Sequence, residues 1–257
     1  MRFPTALLLI PLLAQASAPG KKPVPPSPGE DHAQHGPLRE AVYEYERGME
    51  FADGKRGIQD YTQAAFHYRN AAEKDYARAQ YSLAHLYEHG LGVNEDLEQA
   101  GRWYRKAAEQ GDPYSQNSLG NLYATGRGVP NDDGEAAKWY LLAAEQGNLA
   151  AQSNLANFYL NGRGVPRDLE KAIQLCSKAA HRGYAIAQHN LALMYANGQG
   201  VAQDLAWAHA WMDLASEELE SSAAIRDRMA KVMTVEQLAT AQELSKAIRL
   251  EIAAVQK

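Results

Sequence analysis

Cysteine is nearly absent: Cys176 is the only one in 257 residues. A lone thiol cannot close an internal disulfide, so oxidative stapling does not stabilise this chain. The bland reading of Cys176 is a small buried apolar residue; pairing with another chain is the alternative. Long apolar runs are missing too. The longest, Leu7-Leu8-Leu9-Ile10-Pro11-Leu12-Leu13, is far short of the about 20 residues a membrane span requires. Basic charge is in deficit: 26 Lys and Arg stand against 31 Asp and Glu, a formal charge of −5. That excludes the basic patch nucleic acid calls for and disfavours anionic lipid surfaces. No Ser-x-x-Lys spacing occurs, so that nucleophile motif is excluded.

The N-terminus carries one positive charge, Arg2, ahead of the short apolar run, and small-x-small sites follow at Ala14-Gln15-Ala16 and Ala16-Ser17-Ala18. This is the form of a secretory signal. Residues 1–16 are expected to be removed, because cutting after Ala18 would leave Pro19 at the new terminus. The mature chain is then expected in the periplasm or secreted, and not membrane-spanning. No cysteine follows the run to take a lipid. Residues 17–40 hold Pro19, Pro23, Pro25, Pro26, Pro28 and Pro37 with almost nothing apolar. They are expected to form a Pro-rich linker, since such a composition cannot fill a core. His32 and His35 within it are expected to be solvated rather than metal-bound.

What dominates the rest is a period of 36 residues. It links Gln80, Gln116, Gln152 and Gln188, and likewise Tyr87, Tyr123, Tyr159 and Tyr195. It links Gly54, Gly90, Gly126, Gly162 and Gly198, and Asp60, Asp96, Asp132, Asp168 and Asp204, without insertion or deletion. A fixed period of this size marks stacked helical repeats. The repeats are expected at 41–76, 77–112, 113–148, 149–184 and 185–220.

Each copy reads as two helices. In the second, Ala79, Leu83, Ala84 and Tyr87 lie at helical spacing, and Gly90 ends the helix. Asp96 caps the next helix, with Gln99 three residues on, as Glu135 follows Asp132. The columns of Ala84, Ala100 and Ala107 hold only Ala or Gly, which lets helices approach closely. The paired glycines 126/128, 162/164 and 198/200 follow helices rather than strands, so they are turn residues and not phosphate cradles. The first copy is degenerate, with Arg47 where leucine recurs and Arg56 where glycine recurs. Residues 221–257 leave the period. There Thr234-Val-Glu-Gln237 is a capping box opening a helix, and a C-terminal helical cap is expected.

Leu-Gly-Asn-Leu-Tyr123, Gly-Arg-Gly-Val-Pro130, Lys-Trp-Tyr140 and Ala-Ala-Glu-Gln-Gly147 resemble the Sel-one-like repeat, a relative of the tetratricopeptide repeat. The resemblance runs from Ala41 to about Glu220. Asp-Arg-Met-Ala230 and Met-Thr-Val-Glu-Gln237 resemble a tail found in exported bacterial members. The resemblance implies an all-α fold, an α-α superhelical solenoid of five 36-residue helix-turn-helix repeats plus the cap. It also implies an adaptor role in protein binding, with no shared catalytic residues and no cofactor.

In repeats of this kind the first helix of each pair lines the concave face. Three rows are expected exposed there: Tyr45, Tyr81, Asn117, Ser153 and His189; Met49, His85, Asn121, Asn157 and Leu193; Ala52, Glu88, Ala124, Leu160 and Ala196. Tyr81, His85, Asn117, Asn121 and Asn157 form the candidate binding set, because amides both donate and accept. His85 and His89 share a helix face, but no third metal ligand is evident, so no metal is expected. The expected function is a non-enzymatic adaptor or inhibitor of the cell envelope, taking a protein or peptide segment in this groove. Two alternatives stay open. One is β-lactam binding or hydrolysis, as in a cysteine-rich branch whose paired cysteines this chain lacks. The other is glycan binding. Ser177 and Lys178 are adjacent and lie in a helix whose pattern explains them.

Overall fold

The computed structural model describes residues 36–55 and 57–255. The expected signal at 1–16, most of the linker, His32 and His35 lie outside the described residues. Among the described residues there are twelve helices and no strand. Ten form the five repeats as pairs: α1 (Pro37–Asp53) with α2 (Tyr61–Ala72), α3 (Ala77–His89) with α4 (Leu97–Glu109), α5 (Pro113–Thr125) with α6 (Asp133–Glu145), α7 (Leu149–Asn161) with α8 (Leu169–Ala180), and α9 (Ala185–Asn197) with α10 (Leu205–Ala215). Two more follow, α11 (Glu220–Ala230) and α12 (Val235–Val255). The chain divides between Gln146 and Gly147 into two compact units.

Helix ends obey the columns. Every first helix stops at a glycine in the left-handed region, Gly54, Gly90, Gly126, Gly162 or Gly198. Every second helix starts at an aspartate whose carboxylate accepts a backbone N–H of the first turn, as Asp96 does from Gln99 at 2.9 Å and Asp132 from Glu135 at 3.0 Å. The full reciprocal capping box forms at Thr234: its N–H donates to Gln237 Oε1 at 2.9 Å, and its hydroxyl oxygen accepts the Gln237 N–H at 3.2 Å.

The alanine and glycine columns set how closely helices pack. In the N-terminal unit, Tyr68 and Tyr140 of the second helices set the Cδ1–Cε1 edge of their rings against Gly48 and Gly120 of their own first helices. A Cβ at either glycine would come within 2.5 Å and 2.7 Å of the ring. The second glycine of each loop has a different task. A side chain at Gly92 or Gly128 would overlap backbone at Tyr61 or Leu97, the start of the preceding repeat's second helix. Gly200 meets Leu169 in the same way in the C-terminal unit.

The repeated glutamine is buried and ties neighbours together. Gln80 Nε2 donates to the Ala72 carbonyl at 3.1 Å, closing the end of the previous repeat's second helix. Its Oε1 accepts from Gln110 Nε2 at 2.7 Å. Gln116 repeats both contacts, to Ala108 at 3.1 Å and from Gln146 at 2.8 Å, and Gln188 reaches Ala180 at 3.2 Å. In α1 the column holds Glu44 in place of glutamine. It accepts instead from His67 Nδ1 at 2.7 Å, and that contact lowers its pKa.

The ends depart from the expected boundaries in one respect. Helix α1 begins at Pro37, inside the segment expected to be linker, because proline suits the first position of a helix. At the other end Ala241, Ser245 and Ile248 of α12 are buried, and α12 packs on α10. Arg249 pairs there with Asp213 at 2.9 Å and with Glu217 at 2.8 Å. Cys176 is buried; burial pushes its thiol up to about 12, and Sγ–H donates to the Ala187 carbonyl at 3.2 Å.

Ala143 has no exposed surface in the alanine column of α6. Ala143→Leu should destabilise the protein by roughly 1–3 kcal/mol, because the contact cannot take a larger side chain. Urea unfolding followed by circular dichroism measures it; an unchanged midpoint would show that the column is not close-packed.

Candidate functional site

The first helices carry the candidate residues, and their neighbours decide which are accessible. Of the row expected through Tyr45, Tyr81, Asn117, Ser153 and His189, three members are buried. Tyr45 packs on Tyr68 and Tyr76, at ring centroid distances of 5.6 Å and 5.2 Å. Ser153 Oγ accepts from Asn190 Nδ2 at 3.2 Å, and His189 Nδ1 meets Ser222 Oγ of α11 at 2.8 Å. The reason is that this row faces the following helix on the same side, not solvent. Leu193, Ala124, Leu160 and Ala196 are buried as well, so the expectation of three open rows is corrected. Met49, Ala52, Glu88 and Asn157 stay half-buried. His85, Asn121 and Asn157 keep their place in the expected middle row, half-buried like Tyr81 and Asn117; beside them, one position further on, stand the half-buried Ser82, Ser118 and Asn154 and the exposed His89, Thr125 and Asn161. The same 36-residue register carried this information, but the column test could not say which way a row leans.

Within the N-terminal unit, α3 and α5 bring four of the five candidate residues onto one surface. Tyr81 packs on Tyr104 at 5.7 Å and on Tyr114 at 6.0 Å, and Tyr114 is 38% exposed. Burial raises the Tyr81 hydroxyl pKa, with the Asp112 and Glu88 carboxylates adding to it, so it stays a neutral donor. His85 stacks on His89 at 4.3 Å; burial lowers its pKa, and the charge of His89 lowers it further. Asn121 is held from below: Tyr140 Oη–H donates to its Oδ1 at 2.7 Å, and Tyr104 Oη–H does the same for Glu88 at 2.8 Å. Asn157 belongs to the C-terminal unit, where its Oδ1 accepts from Asn161 Nδ2 at 2.8 Å.

Other chemistry is sparse. Among the described residues no three His, Cys, Asp or Glu side chains converge as metal ligands, and no helix is long and apolar enough to cross a membrane. Ser177 Oγ lies 3.3 Å from His181 Nδ1, a pair the sequence reading passed over. It is no nucleophile–base pair, because that nitrogen donates to the Ser177 carbonyl at 2.9 Å and so cannot also accept a proton.

Models of the Sel1 repeat match residues 41–76, 77–112, 113–148, 149–184 and 185–218. The chain belongs to the Sel1 repeat family. Sel1 repeats mediate protein–protein interaction, and the fold is typically a non-catalytic scaffold. A solved protective antigen of uropathogenic Escherichia coli is similar, at 34% identity and a TM-score of 0.77. The match covers 84% of this chain but 48% of the antigen, so this Sel1 chain spans about half of that relative. A Sel1 repeat protein from Oxalobacter formigenes is 29% identical, with 85% of this chain and 89% of that one covered and a TM-score of 0.70. An immunity protein from Pseudomonas aeruginosa is similar in fold alone, at 20% identity and a TM-score of 0.51, with 82% of each chain covered. No curated protein is significantly similar to the chain.

Two predictions follow from this geometry. A residue on an open face is expected to be replaceable at little cost, but Asn121 is the acceptor for Tyr140, which is 1% exposed. Asn121→Ala should therefore cost roughly 0.5–1.5 kcal/mol by removing that bond, while Asn121→Asp, which still accepts, should cost less. Equal melting temperatures for the two variants would show that the bond does not matter.

The second concerns pH. Burial lowers His189 to about 4. Above the ordinary value, near 6.5, it is neutral folded or unfolded and adds no pH dependence. As pH falls from there toward 4, the unfolded chain binds a proton the folded one refuses, so stability is lost across that window. Between pH 7 and 4 the wild type should lose roughly 2–3 kcal/mol more than His189→Asn. Parallel pH profiles of the two proteins in urea titrations would contradict this.

Proposed function

We propose that this Sel1 repeat protein is exported and serves in the cell envelope as a non-enzymatic adaptor or inhibitor. It holds a segment of a protein partner against the first-helix surface of the N-terminal unit centred on Tyr81, His85, Asn117 and Asn121; Asn157, the remaining candidate, lies in the C-terminal unit. The observation that carries this reading is the chemistry of α3 and α5. Their accessible side chains are amides, hydroxyls, imidazoles and a tyrosine ring, presented from helices fixed by buried hydrogen bonds. A surface already rigid loses little entropy on binding an extended chain. Export is supported by the charged start, apolar run and small-x-small site of residues 1–16. The non-enzymatic reading is supported by the family, whose fold is typically a non-catalytic interaction scaffold.

The test is capture of a partner from envelope extract, identified by mass spectrometry, with three proteins: the wild type, Asn117→Ala combined with Asn121→Asp, and a form lacking residues 19–35. The aspartate keeps the Tyr140 bond, and the deletion leaves α1 whole. The double variant should keep its melting temperature within a few degrees yet lose at least about tenfold in captured partner, the change that roughly 1.4 kcal/mol produces. Capture that survives the double variant and fails in the deletion form would transfer the binding role to the Pro-rich segment.

A further inference from the structure

Four aromatic side chains form a row at one place on the first-helix surface of the N-terminal unit. Tyr114 of α5 meets Tyr81 of α3 at a ring centroid distance of 6.0 Å, Tyr81 meets His85 at 6.5 Å, and His85 meets His89 at 4.3 Å. Tyr114 and His89 are exposed, and Tyr81 and His85 are half-buried. His89 Nδ1–H donates to the His85 carbonyl at 3.0 Å, which fixes the outer ring of the row. The repeat does not require these rings. Tyr114 stands where the other copies have Val42, Arg78, Ala150 and Ile186, and His89 where they have Asp53, Thr125, Asn161 and Asn197. A second feature is equally unused by the packing columns: the string Pro23-Val24-Pro25-Pro26-Ser27-Pro28.

We propose that the aromatic row is the docking site for this chain's own proline string, Pro23 to Pro28, held in cis until a partner displaces it. The inference rests on the adaptor reading above and adds how its surface is regulated. Proline-rich strings dock on aromatic rows because their rings are apolar and their preset backbone loses little entropy. With three residues per turn, Pro23 and Pro26 share one edge of such a string and Pro25 and Pro28 another, each pair about 9 Å apart. A row with centroid steps of 6.0 and 6.5 Å is long enough to take one pair. The chain also has the reach. The stretch from Pro28 to Pro37 spans up to about 30 Å when extended. Pro37 opens α1, and Tyr45 lies about 12 Å further along that helix. Tyr45 meets Tyr76 at a ring centroid distance of 5.2 Å, and Tyr76 directly precedes α3. A tether this short sets an effective concentration in the millimolar range, so a contact too weak to form between separate molecules is occupied within one.

The experiment compares the full chain with the form lacking residues 19–35, which keeps every described helix whole. A synthetic peptide, Pro19 to Pro28, is titrated into each and followed by NMR of the tyrosine and histidine rings. The deletion form should bind it with shifts at Tyr81, Tyr114, His85 and His89, and the full chain at least about tenfold more weakly, because its site is filled. Alanine in place of the prolines at 23, 25, 26 and 28 of the peptide should weaken binding roughly tenfold, and so should Tyr114→Ala in the protein, with the melting temperature held within a few degrees. Row resonances that do not move, or equal binding by both forms, would overturn the inference. So would ring shifts in the full chain that vary with protein concentration, because the string would then sit on a second copy. Partner capture from envelope extract separates this from the adaptor reading. Freeing the row should raise capture at least about threefold in the deletion form. Peptide binding with no partner captured by either form would remove the adaptor reading and leave the docking in place. Equal capture by both forms with no peptide binding would do the reverse.

Discussion

Each first helix lies so close to its second helix that only hydrogen or a methyl group fits between them at one height. Where that position is Gly48 or Gly120, a tyrosine ring fills the space directly on the backbone. The equivalent positions Ala84, Ala156 and Ala192 are buried, as are their second-helix counterparts Tyr104, Cys176 and Met212. The small residue is the constant, and its partner ranges from tyrosine to cysteine and methionine to fill the space that remains. The loop glycines impose the same limit between copies, because Gly92, Gly128 and Gly200 sit against the backbone of the preceding second helix.

The glutamine column turns this packing into a directed stack. A second helix ends with carbonyls that have no partner inside the helix. Gln80, Gln116 and Gln188 supply one from the next copy. Replacing that contact by packing alone would leave a buried carbonyl unsatisfied. The column therefore fixes the spacing of neighbours as well as their attachment. In the first copy the column holds Glu44, whose side chain turns to His67 and Asn70 of α2.

The candidate surface is a by-product of that rigidity. The tyrosines filling the packing column reach through it: Tyr140 and Tyr104 place their hydroxyls under Asn121 and Glu88. Groups that meet solvent are thus oriented by groups that make the core. Asn121 thus makes a structural contact as well as belonging to the candidate surface. In the three central repeats most of the charge lies on the second helices α4, α6 and α8, where exposed pairs such as Lys138 with Glu135 at 2.6 Å contribute little to stability but keep the surface solvated.

The amino-acid sequence by itself determined the repeat length, the two helices of each copy, their caps and the family. These depend on spacing along one chain: a glycine that must be left-handed, an aspartate that must cap, an alanine that must be small. It also pointed to the first helices as the candidate surface and named Tyr81, His85, Asn117 and Asn121. What only the tertiary structure decided was which rows of that surface are open. Ser153 and His189 stand in the same column as Asn117, yet they are buried by Asn190 and Ser222. Ser82, Ser118 and Thr125 were passed over, though they are as accessible as the residues chosen. Exposure is set by the angle at which one copy leans on the next, and a period read from sequence fixes the repeat distance but not that angle.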